Sequence, residues 1–418
     1  MSDATAIQPD TLGATDAQES RFPPIADYAF LSDCEVSALV ASSGNVEWMC
    51  LPRHDAPSVF GALLDRAVGR FGFAPYGKSV PAGRRYLPGS LVLETTWQTP
   101  TGWIIVTDAL CVGPWHDVAE RSPRHRRIPR DYEAEGVLLR TARCVKGSVQ
   151  MLLNCFPVFD YGRRNARWEY AGAGYGEAVA TAEGADVELR LTSSLRLGIE
   201  GSRAVAISTL RDGEKAFAAL SWSGRTPPAD PDEAAAWIEG TLVFWREWIA
   251  GARFPEHQWA PYLRRSALTL KGLTYAPSGA LLAASTTSLP EAPGGNRNWD
   301  YRYTWIRDST LMLKALHYLN LEREAFDYFG FIGEVLAAQP DIQIMYGIDG
   351  ERQLDEATLD HLSGYGGARP VRTGNGAYTH IQLDVWGAAL DSVYIHVQHM
   401  DNLPERLWLG VRHLVETA

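Results

Sequence analysis

From Phe22 to about Gly224 the apolar positions fall in short runs rich in β-branched and aromatic residues, each closed by turn residues. Ser37–Val40 and Val46–Cys50 flank ASSGN, Ser90–Trp97 and Trp103–Val106 flank QTPTG, and Gly136–Cys144 and Val149–Phe156 flank VKGS. Val187–Leu191, Ala204–Leu210 and Lys215–Trp222 follow, with Asp212-Gly213 turning the last pair. Strands at hairpin spacing with no helices between them predict an antiparallel β-sandwich and exclude a parallel βαβ sheet. The period then changes. After Pro227-Pro228-Ala229-Asp230-Pro231, the segment Asp232–Ile249 places Ala236, Ile238, Leu242, Trp245 and Ile249 on one stripe, which predicts a helix. Helical spacing recurs over Trp259–Leu273, Ser309–Leu319, Ala325–Leu336, Gln382–Gln398 and Pro404–Thr417, joined by long loops rich in Gly, Pro and aromatics. The expected division is a disordered tail (1–21), a sandwich (22–226), a linker helix (227–255) and a helical part (256–418) holding too few helices to close a barrel. Function is expected on its long loops.

Composition narrows the class. The 418 residues are 46% hydrophobic and 21% charged, which is globular and suffices for two or three domains. With 39 basic against 50 acidic residues the net charge is −11, so a nucleic-acid or anionic-membrane partner is not expected. No apolar run approaches the roughly 20 residues that span a bilayer. The first 21 residues lack a basic start and an apolar core, and so read as a tail and not a signal peptide. Five cysteines (Cys34, Cys50, Cys111, Cys144, Cys155) with no CxxC pair predict buried thiols in a reducing cytoplasm.

The densest chemistry lies in Gly294-Gly295-Asn296-Arg297-Asn298-Trp299-Asp300-Tyr301-Arg302-Tyr303-Thr304-Trp305-Ile306-Arg307-Asp308-Ser309. If extended, this segment puts rings 299, 301, 303 and 305 on one face and polar groups on the other. Asp308 or Ser309 is then expected to cap the helix that follows. Rings beside an Arg–Asp pair suit a sugar, whose C–H groups lie on ring faces while its hydroxyls bridge guanidinium and carboxylate. Hydrogen bonds to charged groups are worth about 1.5–3 kcal/mol each. The same pattern also fits a hairpin edge with cross-strand aromatics and a structural salt bridge. A second cluster, Tyr365–Ala377 followed by Gln382–Gly387, offers Arg369, Arg372 and Asn375 as donors on a Gly-rich loop, or is an ordinary turn. It carries no phosphate-loop signature. His361, His380, His396 and His399 lack metal-ligand spacing, and GxSxG does not occur.

The stretch YRYTWIRDS from Tyr301 resembles the sugar-subsite motif of glycoside hydrolase family fifteen, which contains glucoamylases, glucodextranases and trehalases. The likeness is nearest to the family's bacterial trehalases. It extends to FPPIADYAFLSDCE from Phe22, WMCLPRHDAPSVFGALLDR from Trp48, RRYLPGSLVLETTWQT from Arg84, SALTLKGLTYAPSGALLAASTTSLPE from Ser266 and RPVRTGNGAY from Arg369. The resemblance implies a β-sandwich, a helical linker and part of an (α/α)6 barrel. It implies inverting hydrolysis of an α-glucosidic bond such as that of α,α-trehalose, with carboxyl groups about 6.5–9.5 Å apart. Positions matching Arg307 and Asp308 bind the non-reducing glucose in the family, Tyr301 sits beside the developing oxocarbenium and Trp305 lines the pocket. Arg372, Asn375 and Trp386 are the further substrate-binding candidates.

Two departures from the family pattern stand out. The family's general acid is a Glu soon after an Asp-x-aromatic step, and here Asp384-Val385-Trp386 is followed by Gly387-Ala388. Asp384 is therefore the candidate acid, with Glu351 and Asp391 behind it; Asp384 equally fits a structural helix start. The family's general base lies beyond Ala418, so the 418-residue chain is expected to be weak or inactive on its own. No cofactor is required by the sequence, although the resemblance brings in phosphate and Mg²⁺ as factors to which some such trehalases respond. The expected partner is a small sugar, trehalose or an α-glucan end, in the cytoplasm, with an exposed helical layer inviting homo-oligomers. Alternative readings are a glucoamylase- or glucodextranase-type exo-glucosidase, an inverting phosphorylase, and a non-catalytic glucan-binding protein.

Overall fold

The computed structural model describes residues 22–77, 80–114, 132–338, 341–400, 403 and 405–418; the expected tail at 1–21 lies outside the described residues. The chain divides into two compact units, one drawn from 22–114, 132–245 and 362–367, the other from 246–361 and 368–418.

The first unit is the expected antiparallel sandwich. Hairpins form where the pattern placed them, with Val40 opposite Val46 and Leu93–Thr99 paired along Gly102–Pro114. Two expected hairpins do not form. Tyr132–Phe156 is one continuous strand through VKGS, and Arg203–Arg211 and Lys215–Ser221 lie along it one after the other without pairing each other. Its first half pairs with 102–114 and 215–221, its second with Arg70–Pro75 and 203–211. Gly147 (φ +74°) and Gly213 (φ +80°) are the two bends at which these neighbouring segments pass from one layer to the other. Switching layers at a bend, where the sequence suggested a turn, lets one strand serve both sheets. Between the layers pack Val40, Met49, Phe71, Trp97, Leu138 and Leu153, all fully buried. Arg140 and Asp108, both 0% exposed, cross this core as an ion pair (2.8 Å), and Arg140 also donates to the carbonyls of Phe71 and Gly44.

Helix α1 (Pro231–Ala250) is more than the linker expected. Asp230 caps it, accepting from the amides of Asp232 and Glu233, and Glu233 returns a bond to the amide of Ala229. Its stripe Ala234, Ile238 and Leu242 buries against the outer sheet face at Val92, Ala109, Leu139 and Phe217. Each fully buried Ile or Leu there contributes about 1.5–3 kcal/mol.

The second unit holds α2 (Ala260–Gly272), α3 (Ile306–Tyr318), α4 (Glu322–Ala338), α5 (Asp384–Met400) and α6 (Glu405–Thr417). Consecutive helices α3–α4 and α5–α6 pack as hairpins, while α3 packs on α5 and α4 on α6. Alternate helices thus share a layer, the arrangement of a partial (α/α)6 barrel. Small residues allow α3 and α5 to approach: the Thr310 hydroxyl donates to the Ala388 carbonyl (3.0 Å) and meets the Ser392 hydroxyl (2.7 Å). The buried Lys271–Glu324 pair (2.8 Å) ties α2 to α4, with Trp248 also donating to Glu324.

Candidate sugar-binding site

The site is built where the inner helices α3 and α5 begin. The residues before α3 run extended beside 283–288: the amides of Ser288, Ala284 and Ala283 donate to the carbonyls of Trp299, Tyr301 and Tyr303. Helix α3 starts at Ile306, three residues earlier than the pattern suggested, with extended Trp305 at its N-cap and no side-chain cap. Asp308 and Ser309 are therefore inside the first turn and do not precede it. A carboxylate there is favoured by the helix dipole.

Alternation along 298–305 is as expected except at Tyr303, which is buried, and the faces are reversed relative to an ordinary strand. Asn298, Asp300, Arg302 and Thr304 are between 0 and 1% exposed, whereas Trp299, Tyr301 and Trp305 are only half-buried. Asp300 and Arg302 form a buried ion pair, with Nε donating at 2.9 Å and Nη2 at 2.7 Å. On the outward side the Tyr301 and Trp305 rings lie 5.5 Å apart, tilted by 42°. Partial burial and the charges of Glu291 and Asp308 hold the Tyr301 hydroxyl above its ordinary pKa, so it stays a neutral donor. Of the expected four-ring wall the Tyr301–Trp305 pair lies on the outward face, and the structural salt bridge on the other.

Arg307 and Asp308 project into solvent from the first turn of α3. Arg307 Nη1 donates to Asp384 Oδ2 (2.8 Å) and Gln382 Oε1 (3.2 Å), while Nε and Nη2 have no partner among the described residues. The Asp308 carboxylate makes no hydrogen bond among the described residues. Gln382, not a sequence candidate, is brought in by its place one turn ahead of α5.

Asp384 opens α5 with its side chain half exposed. The hydrogen bond and positive charge of Arg307 hold its carboxyl below the ordinary range, despite some desolvation. Asp384 is here the partner of Arg307, an environment that favours its ionised form, whereas a general acid needs one that favours the protonated form. The reserve candidates are also engaged by protein. Asp391 is ion-paired with Lys314 (2.5 Å), and the exposed Glu351 accepts from the amide of Asp349.

Two of the donors expected to face substrate are occupied by protein. Arg372 lies over the Trp299 ring (4.3 Å), donates Nε to Glu356 (2.8 Å), and donates Nη1 to the carbonyls of Asn296 and Asn298. Asn375, 5% exposed, donates to the Asp300 carbonyl (2.9 Å) and caps a short 3₁₀ turn by accepting from Ala377. Gly374 (φ +73°) makes this possible, because a side chain there would strike the Asp355 carbonyl. Arg372 and Asn375 thus brace the aromatic strand. Trp386 is half-buried and donates to Thr417 (3.3 Å). The described residues contain no group of three or more His, Cys, Asp or Glu placed to hold a metal ion. His396 is stacked on Phe329, rings 3.5 Å apart.

Residues 259–416 match the model of Glycosyl hydrolases family 15, and residues 17–114 match that of the trehalase-like N-terminal region. The helical part of the chain, from residue 259 to 416, is thus a segment of the glycosyl hydrolase family 15 type. Similar to the whole chain are the Trehalase of Mycolicibacterium smegmatis (56% identical, covering 99% of this chain and 63% of that protein) and the Trehalase of Mycobacterium tuberculosis (55% identical, 98% and 61%). Trehalase 1 of Sulfolobus acidocaldarius is 29% identical over 92% of the chain and 62% of its own length. The chain therefore spans less than two thirds of the length of the curated relatives it matches. A bacterial glucoamylase complexed with acarbose superposes with a TM-score of 0.60 at 12% identity, over 99% of this chain and 60% of that one, a likeness of fold. No described helix is long and apolar enough to cross a membrane, and the five cysteines are buried and form no disulfide with one another.

Proposed function

We propose that this chain grips the non-reducing glucose of α,α-trehalose as part of an inverting α-glucoside hydrolase. The observation that carries this reading is Arg307 with two nitrogens that have no partner among the described residues, beside an Asp308 that makes no hydrogen bond among them, next to the Tyr301–Trp305 rings. Sugar C–H groups pack on the rings, two hydroxyls accept from Nε and Nη2 of Arg307, and another donates to Asp308. The Trehalase relatives at 55–56% identity support trehalose over longer glucans. A cytoplasmic setting is supported by five buried cysteines that form no disulfide with one another.

Inversion needs one carboxylic acid held protonated and one carboxylate activating water. Asp384, depressed by Arg307, and Asp391, ion-paired with Lys314, are unsuited to the first task. The 418-residue chain is therefore expected to bind sugar with little turnover, which keeps a glucan-binding reading beside the hydrolase. Calorimetric titration with trehalose, maltose and acarbose tests recognition. Glucose release from trehalose, maltose and isomaltose, with and without phosphate, tests reaction class. Binding abolished by Arg307→Ala supports the site; sugar binding untouched by changes at both Arg307 and Asp308 overturns it. Glucose 1-phosphate formed only with phosphate would reassign the chain as a phosphorylase.

A further inference from the structure

The inward face of 298–305 calls for a reason that stability does not provide. Polar groups occupy four successive alternate positions of a buried face, and the Asn298 Oδ1 and Thr304 Oγ1 atoms have no partner among the described residues. A buried acceptor left unpaired destabilises by about 1–3 kcal/mol. Replacing a buried ion pair by apolar residues of similar volume is often neutral or stabilising. A strand shaped for stability alone would carry Val or Leu at these positions.

The bonds made by Asp300 converge on one residue. Asp300 Oδ1 accepts from the backbone amide of Arg302 (3.1 Å) as well as from its guanidinium, closing a loop around Tyr301. The Asp300 carbonyl accepts from Asn375 (2.9 Å), and the Tyr301 carbonyl accepts from the amide of Ala284 (2.9 Å). Both peptide planes flanking Tyr301 are thereby held, and its ring meets Trp305 across the outward face. An ion pair is suited to this task because it fixes direction as well as distance: the bidentate guanidinium–carboxylate fork permits one orientation, whereas apolar packing permits several.

We propose that Asp300 and Arg302 are positioning residues for sugar recognition: the buried pair, with Asn375, sets the backbone at Tyr301 and so the spacing of the Tyr301–Trp305 platform, at no gain to the stability of the unit. The inference rests on the reading of Tyr301, Trp305, Arg307 and Asp308 as the sugar subsite. None of its residues contacts sugar; they act through Tyr301.

The test uses the full chain and trehalose as titrant, with acarbose as a second probe. In Asp300→Leu/Arg302→Met both charges are removed together, so no lone charge is left buried. The expected result is a melting temperature within a few degrees of the parent, a fall of tenfold or more in sugar affinity, and an altered near-ultraviolet circular dichroism from the Tyr301–Trp305 pair. Asp300→Asn, which keeps an acceptor for the Arg302 amide, is expected to fall between parent and double variant in affinity, and Arg302→Lys to restore less than half of the lost binding free energy. A double variant that binds as the parent does overturns the proposal. So does one that fails to fold, since the pair would then be a requirement of stability. Arg307→Ala, measured alongside, separates the two levels: loss of binding there with no loss in the double variant sinks only the positioning role. Parent-like binding in Arg307→Ala sinks the subsite itself.

Discussion

Replacing Arg307 by Ala removes a guanidinium that spends only one of its terminal nitrogens on protein. That nitrogen holds Asp384 at 2.8 Å and Gln382 at 3.2 Å, and both side chains of the ion pair are about half exposed (52% and 49%). Exposed pairs of this kind contribute little to folding, so the melting temperature should change by a few degrees at most. Recognition should change far more. Nε and Nη2 are free to donate to sugar hydroxyls, and a hydrogen bond to a charged group contributes about 1.5–3 kcal/mol. Losing the equivalent of one such bond weakens affinity by about 10- to 150-fold at 1.4 kcal/mol per decade. Isothermal titration with trehalose, paired with a thermal melt on the same samples, measures both numbers. An affinity within twofold of the parent, in a variant that melts normally, would refute the sugar-subsite argument. A collapse of the melting temperature would instead refute the estimate that the Arg307–Asp384 pair is marginal.

Other outcomes follow from the same physics. Because Arg307 holds the Asp384 carboxyl below the ordinary range, the pair is complete above about pH 4 and is lost as the pH falls through the depressed value, so sugar affinity should be flat between pH 5 and 8; a titration near pH 6 that vanishes in Asp384→Asn would show the residue to be a protonated acid after all. Arg140→Met strands the buried Asp108 carboxylate and should cost about 3–5 kcal/mol in urea denaturation, most of it recovered in Arg140→Met/Asp108→Leu; equal losses in both variants would contradict this. Asp33 accepts from the amides of Glu35 and Val36, but its Oδ2 is buried without a partner, and burial, with some repulsion from Glu35, pushes its pKa up to about 7. The folded state then holds a proton that the unfolded state releases near pH 4, so stability should fall as pH rises from about 4 to 7, by up to about 4 kcal/mol, and Asp33→Asn should flatten that slope; a parent curve flat over this range would count against the burial argument.

Local sequence determined much of this chain. Strand-length β-branched runs gave most of the sandwich, and apolar stripes gave six helices to within a few residues, because hairpins and helices are encoded by neighbours in the sequence. The alternation of rings and polar groups over 298–305 was legible for the same reason, as was the place of Arg307 and Asp308 just behind it. What the chain could not announce is which alternate face turns inward. That was decided by residues distant in sequence: the 283–288 strand alongside, and Asn375 reaching back to the Asp300 carbonyl. The VKGS and Asp212-Gly213 bends read as turns because a glycine with positive φ serves either purpose, and only the second sheet layer makes them crossings. Asp384 read as a candidate acid because a carboxylate's pKa is set by what faces it, and Arg307, 77 residues away along the chain, is visible as its partner only after α3 and α5 have packed. Periodicity is a property of neighbours; burial and protonation are properties of whatever the folded chain brings opposite.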